Sequence, residues 1–139
     1  MRRFAIVVTI ALFAGAAPAM EIARFDKMAT SDQGACIAWL IASAQKALQD
    51  EGRADLAAQV RKLFAVRNPG DTLSVGMQTL ETNLAHARAV DAQTHAQDPQ
   101  AERLDIEQAL IVTLKWQGIN LPKSFRQAAA RFKPKHRQK

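Results

Sequence analysis

Five side chains able to hold a cation fall at alternating intervals of four and three residues: Asp91, His95, Asp98, Glu102 and Asp105. On one unbroken helix they would form a stripe of carboxylates and imidazole, the oxygen and nitrogen donors that suit a divalent ion. Pro99 lies inside the run. A proline lacks the backbone N–H that a helix interior needs, so the stripe is expected to break there. The expectation is a solvated acidic edge whose later members sit at a helix N-terminus, where negative charge is favoured, with no metal and no other cofactor.

Signs of other chemistry are weaker. The chain has no tyrosine, and His86, His95 and His136 stand in no triad-like setting. Ser31, Ser43, Ser74 and Ser124 occupy no strand–turn–helix elbow. The glycines of the body, Gly34, Gly52, Gly70, Gly76 and Gly118, are scattered singly and build no phosphate-binding loop. Cys36 is the single cysteine and is either packed and inert or available for an intermolecular disulfide; its place beside Ile37 and Leu40 on an alanine-rich segment favours the inert thiol. No catalytic residue is assigned, a non-enzymatic function is expected, and no small-molecule ligand is indicated.

The cations at the C-terminal end are the most unusual feature. Lys123, Arg126, Arg131, Lys133, Lys135, Arg137 and Lys139 follow one another without an acid between them. They could keep a terminus solvated, dock onto an acidic edge of this body or of a partner protein, or bind an anionic envelope surface with help from Phe125 and Phe132. These seven residues carry +7 and Arg2 and Arg3 another +2, so of the +6 net charge residues 20–122 keep −3. The high pI therefore belongs to the tail, and the body is not expected to bind nucleic acid. Candidate interaction residues are these seven cations together with Asp98, Glu102 and Asp105.

Residues 1–19 have the three parts of a secretory signal peptide. Arg2 and Arg3 form the charged start, residues 4–16 an apolar stretch too short to cross a bilayer, and Ala17-Pro18-Ala19 a small-x-small cleavage site. Export to a periplasmic or extracellular space is expected, with cleavage near Ala19. Removing 19 of the 139 residues leaves 120, enough for one domain. The expected organisation is a signal peptide at 1–19, one helical domain at 20–132 and a basic disordered tail at 133–139.

The elements that must position these residues all read as helices. Ile22, Phe25 and Met28 allow a turn or two of helix or an extended arm. Thr30 and Gln33 form a capping-box pattern, after which Ile37, Leu40, Ile41, Ala44 and Leu48 make one buried stripe up to a stop at Gly52. Residues 54–67 repeat the pattern with Leu56, Val60, Leu63 and Phe64, so the two helices should form a hairpin. Asn68-Pro69-Gly70 marks a turn, with Asp71 or Thr72 as the next cap. Leu73, Met77, Leu80, Leu84 and Ala87 then form a narrow seam to about Thr94, with Gly76 expected to admit the central helix closely.

That central helix is predicted over residues 99–117, capped by Asp98 and ended by Gly118 and Ile119. Its apolar residues spread over several faces: Leu110 with Leu114, Val112 with Trp116, Leu104 with Ile111. Several rows imply neighbours on more than one side, so Trp116, like Trp39, is expected in the core. Phe125, Ala128, Ala129 and Phe132 add a short terminal helix. The predicted fold is thus all-α, a single small domain of about four main helices plus a short C-terminal one, bundle-like or orthogonal, around a buried helix. An exported protein working through an unidentified protein partner is the leading expectation, and an anionic-surface module using the basic end is the second.

Overall fold

The computed structural model describes residues 19–66 and 73–135, and among the described residues it holds six helices and no strand. They are α1 (Ile22–Asp26), α2 (Thr30–Asp50), α3 (Ala54–Leu63), α4 (Val75–Gln97), α5 (Ile106–Trp116) and α6 (Ser124–Ala129). The all-α, single-domain expectation is met. Residues 67–72, with the Asn68-Pro69-Gly70 turn and both expected caps, lie outside the described residues.

Helix α2 buries Cys36, Leu40, Ala44, Ala47 and Leu48 along one stripe and ends where Gly52 takes φ 77°, a left-handed conformation that glycine adopts without a Cβ penalty. The Arg53 N–H then returns to the Leu48 carbonyl at 2.8 Å, and α3 folds back on α2 as a hairpin, burying Ala57 and Val60. The start of α2 differs from the expected capping box. Thr30 is already helical, Ala29 stands at the N-cap, and the Gln33 amide donates to the Phe25 carbonyl at 3.0 Å. Helix α1 ends so close upstream that its Phe25 carbonyl, which already takes the Met28 N–H at 3.1 Å, lies within reach of the glutamine and accepts from it as well.

Helix α4 is capped by Ser74, whose Oγ accepts the Met77 N–H at 3.1 Å, and it runs past Thr94 to Gln97. Gly76 does serve a close approach, but of a different neighbour from the one expected. A Cβ at Gly76 would stand 2.7 Å from the Leu63 carbonyl oxygen and 3.0 Å from Phe64 Cδ1, so it is the end of α3 that passes there. Gly76→Ala would gain about 1 kcal/mol of helix propensity, yet must push main chain aside, at a cost of about 1–3 kcal/mol. The expected net result is a lower thermal midpoint; a midpoint at or above the parent's would mean that α3 moves aside freely.

The start of α5 is the main correction. Asp98 does not cap it. Asp98 is the C-cap of α4, its Oδ1 accepts the Gln100 N–H at 3.0 Å, and the cap of α5 is Asp105, whose Oδ1 accepts the Gln108 N–H at 2.7 Å. The residues between are held open by the N-terminal segment: Ile22 donates to the Leu104 carbonyl at 3.0 Å, Ile106 donates to the Met20 carbonyl at 2.9 Å, and Glu21 pairs with Asp105 as a lone antiparallel bridge. A long-range pairing therefore overrides a local cap-and-proline signal. The end of α5 is as expected: Gly118 has φ 79°, and the Ile119 N–H reaches back to Leu114 at 2.9 Å while its side chain is buried.

Helix α6 lies on α2. Phe125 is fully buried, Phe132 meets the Trp39 ring at 6.4 Å between centroids, and Trp39 Nε1 donates to the Ala128 carbonyl at 3.0 Å. Trp39, expected in the core, is instead 39% exposed at its margin, with its indole N–H satisfied.

Candidate functional site

Helices α4 and α5 pack against each other in a register marked by one buried polar pair. The Asn83 amide donates to Thr113 Oγ1 at 2.8 Å, and that hydroxyl donates to the Ala109 carbonyl at 2.8 Å. Both groups are thus satisfied, and sliding α4 along α5 would strand them in an apolar setting. Ile106, Leu110 and Leu114 turn from α5 into the core. The Val112–Trp116 row does not.

Trp116, expected inside, is 63% exposed, and Val112 is half-buried. Among the described residues no helix covers that face. Ala87 and the exposed Val90 from α4, Leu104 from the preceding stretch, and Val112 and Trp116 from α5 enclose an open apolar groove of about 590 Å³. Thr82, His86, Gln108 and Asp105 supply polar positions along it. A groove this size, apolar with a few polar positions, is typical of ligand-binding sites. A lone exposed tryptophan needs no explanation, but Trp116 is continuous with four other apolar side chains of the groove.

The sequence-predicted acidic stripe is dispersed. Asp91 is buried, with Oδ2 taking the Arg103 guanidinium (closest approach 2.9 Å) and Oδ1 the Leu104 N–H at 3.0 Å. Burial by itself would raise its carboxyl; the Leu104 N–H, Arg103 and His95 outweigh this and hold it below the usual carboxylate range. Asp91 thus fastens the segment before α5 to α4. His95 Nδ1 is buried without a hydrogen-bond partner. Asp98 and Glu102 are exposed, and Asp105 is engaged as the α5 cap. Among the described residues no three His, Cys, Asp or Glu side chains stand close enough together to hold a metal ion.

Of the basic residues, Arg126 is docked on the body's own acidic edge. Its guanidinium lies 3.2 Å from Glu107, 3.4 Å from Asp105 and 2.7 Å from the Gln108 amide oxygen. Lys123, Arg131, Lys133 and Lys135 are exposed, and the Lys135 backbone N–H donates to the buried Asp32 at 3.2 Å, which keeps the start of the tail on α2. Arg137 and Lys139 lie outside the described residues. Cys36 is buried, as expected, and its thiol is pushed up to about 11 by burial, with Glu107 adding to the shift and Arg24 opposing it. Such a thiol stays protonated near neutrality, and the nucleophilic form is the thiolate.

Sequence reasoning missed Val90 and His86 as site residues. Val90 stands off the seam that runs through Leu84 and Ala87, and an apolar residue on the outer face of a helix carries no mark of its use. Among the described residues, no helix is long and apolar enough to cross a membrane. Against models of known protein families, curated proteins and solved structures, the chain has no match.

Proposed function

We propose that this is an exported helical protein that acts by binding another protein, and that the α4–α5 groove is where the partner docks. The observation that carries the reading is the uncovered Val112–Trp116 row facing Ala87 and Val90 across a cavity of about 590 Å³. Two packed helices with an apolar trough between them suit an amphipathic helix of the partner, which would lay its apolar face along the trough. Tryptophan is the side chain most often found to dominate such contacts. The Asn83–Thr113 pair at the interface of α4 and α5 supports a trough that keeps its shape before the partner arrives.

The second reading, an anionic surface bound through the basic end, rests on the exposed Lys123, Arg131, Lys133 and Lys135. It draws less support, because Phe125 is in the core and Phe132 packs on Trp39, leaving little apolar surface on α6 to enter a lipid interface. Trp116→Ala separates the two. With a partner captured from the envelope fraction by the parent protein, the variant should bind at least about 30-fold more weakly, as expected for truncating a dominant contact residue. Its own stability should change by less than about 0.5 kcal/mol, since the side chain is on the surface. Full partner affinity in the variant would remove the groove from consideration, and salt-sensitive capture by anionic vesicles in both proteins would favour the basic end.

A further inference from the structure

Residues 20–22 are bound to the approach to α5 more tightly than a chain start needs to be. The Met20 carbonyl accepts the Ile106 N–H at 2.9 Å, Ile22 donates to Leu104 at 3.0 Å, and Met20 is only 8% exposed. Met20 and Glu107, which is 2% exposed, border the same small cavity, and the Met20 backbone N–H lowers the Glu107 carboxyl. A polar void of about 20 Å³ adjoins them, bordered also by Arg24 and Cys36 and large enough for about one water molecule.

Glu107 plays no part in the groove, yet a carboxylate so placed is costly unless well paired. Burial pushes its carboxyl up, Asp105 adds to this, and Arg126 and the Met20 N–H oppose it without reversing it. Arg126 is 42% exposed and divided among Glu107, Asp105 and Gln108. Around this corner Glu107 and Asp105 set two negative charges against Arg126, with Arg24 approaching from α1 and the Cys36 thiol neutral.

We propose that cleavage between Ala19 and Met20 completes this site: the α-ammonium group that cleavage creates on Met20 forms a buried ion pair with Glu107. The proposal rests on the reading that the chain is exported and processed at that bond. Hydrolysis adds one water across the amide. Its oxygen joins the Ala19 carbonyl carbon to give a carboxylate, and the Met20 nitrogen, released from the amide, takes up protons to become an ammonium with three donors. Where the uncleaved chain offers Glu107 one neutral N–H, the processed chain offers a full charge, and a charge-assisted hydrogen bond is about twice as strong. The bonds from Ile106 to Met20 and from Ile22 to Leu104 hold the nitrogen in place, so a start one residue earlier would carry the charge about 3.8 Å away.

Two measurements test this and fail separately. The intact mass of the protein exported from the full-length chain reads the cleavage position: a start at Met20 is expected, and any other start overturns the processing step. Chains beginning at Met20 and at Ala19 are then compared near pH 7, each with Glu107 and with Glu107→Gln. The Met20 chain should melt roughly 5–10 °C above the Ala19 chain, with the gap closing in the Glu107→Gln pair. Equal midpoints, or the same gap without Glu107, would overturn the ion pair. Should Glu107→Gln prevent folding, the acylation rate of the Met20 amine against pH decides: its pKa should lie above the ordinary α-amino range of about 7.7–8.0, and a value within that range counts against the pair.

Discussion

Phe125→Ala should destabilise the protein by about 3–5 kcal/mol, the largest single-residue loss expected among its apolar positions. Phe125 is 0% exposed and heads the fully buried side chains by size. Its position explains why the loss should approach the upper end. Helix α6 has six residues, too few to be stable alone, and only Phe125 and Ala129 of these are buried. Their burial holds α6 on α2 and brings Arg126 to Glu107 and Asp105. Without the ring, the Trp39–Ala128 hydrogen bond and the Trp39–Phe132 contact lose the element that presents their partners. A urea titration should show the full loss, and Trp39 emission should shift to the red below the main transition as α6 comes away. A loss under about 1.5 kcal/mol, near that of a volume-conserving swap, would mean the site collapses around the vacancy.

Asp91→Ala should cost about 2–3 kcal/mol. The figure sits below the usual loss for breaking a buried ion pair because Arg103 keeps 28% of its side-chain surface in water and can be rehydrated. Two bonds go at once, those to Arg103 and to the Leu104 N–H, and the second leaves a main-chain donor unpartnered beside the groove. The effect has a pH signature. Because the folded-state carboxyl of Asp91 is held below the ordinary value of about 3.9, its contribution is complete above that pH and is lost as pH falls through the lower, folded value. Glu107 has the opposite sign, its raised carboxyl favouring the folded state most at low pH, but it is present in both proteins and cancels in the comparison. The gap between parent and variant in urea titrations should therefore be wide at pH 7 and narrow towards pH 3. A gap that does not narrow at all as pH falls below about 3.9 would assign the loss to packing and not to charge.

The consequences of these two residues differ in how far they can be read from the chain. Phe125, Ala128, Ala129 and Phe132 announce a docked helix by their spacing alone, and the structure places Phe125 and Ala129 in the core. Asp91 announces nothing. It looked like one member of an acidic edge, and its real partners, Arg103 and Leu104, come close only because residues 20–22 hold the preceding stretch extended. The same contact decides which of two similar signals starts α5. Asp98 before Pro99 and Asp105 before Ile106 both have the chemistry of a cap, and the pairing of Glu21 with Asp105 selects the second.

By itself the amino-acid order determined the all-α class, the α2–α3 hairpin, the stops at Gly52 and Gly118, and the division between an acidic body and a basic end. Each of these is set within a few residues, by helical periodicity, a left-handed glycine or a count of charges. The groove was decided only in three dimensions. The Val112–Trp116 row reads as core because it is as apolar as its neighbours, and an apolar row carries no record of whether another helix will reach it. Burial is a property of what arrives from elsewhere in the chain. Here Leu110 and Leu114 are covered and Trp116 is left in the open.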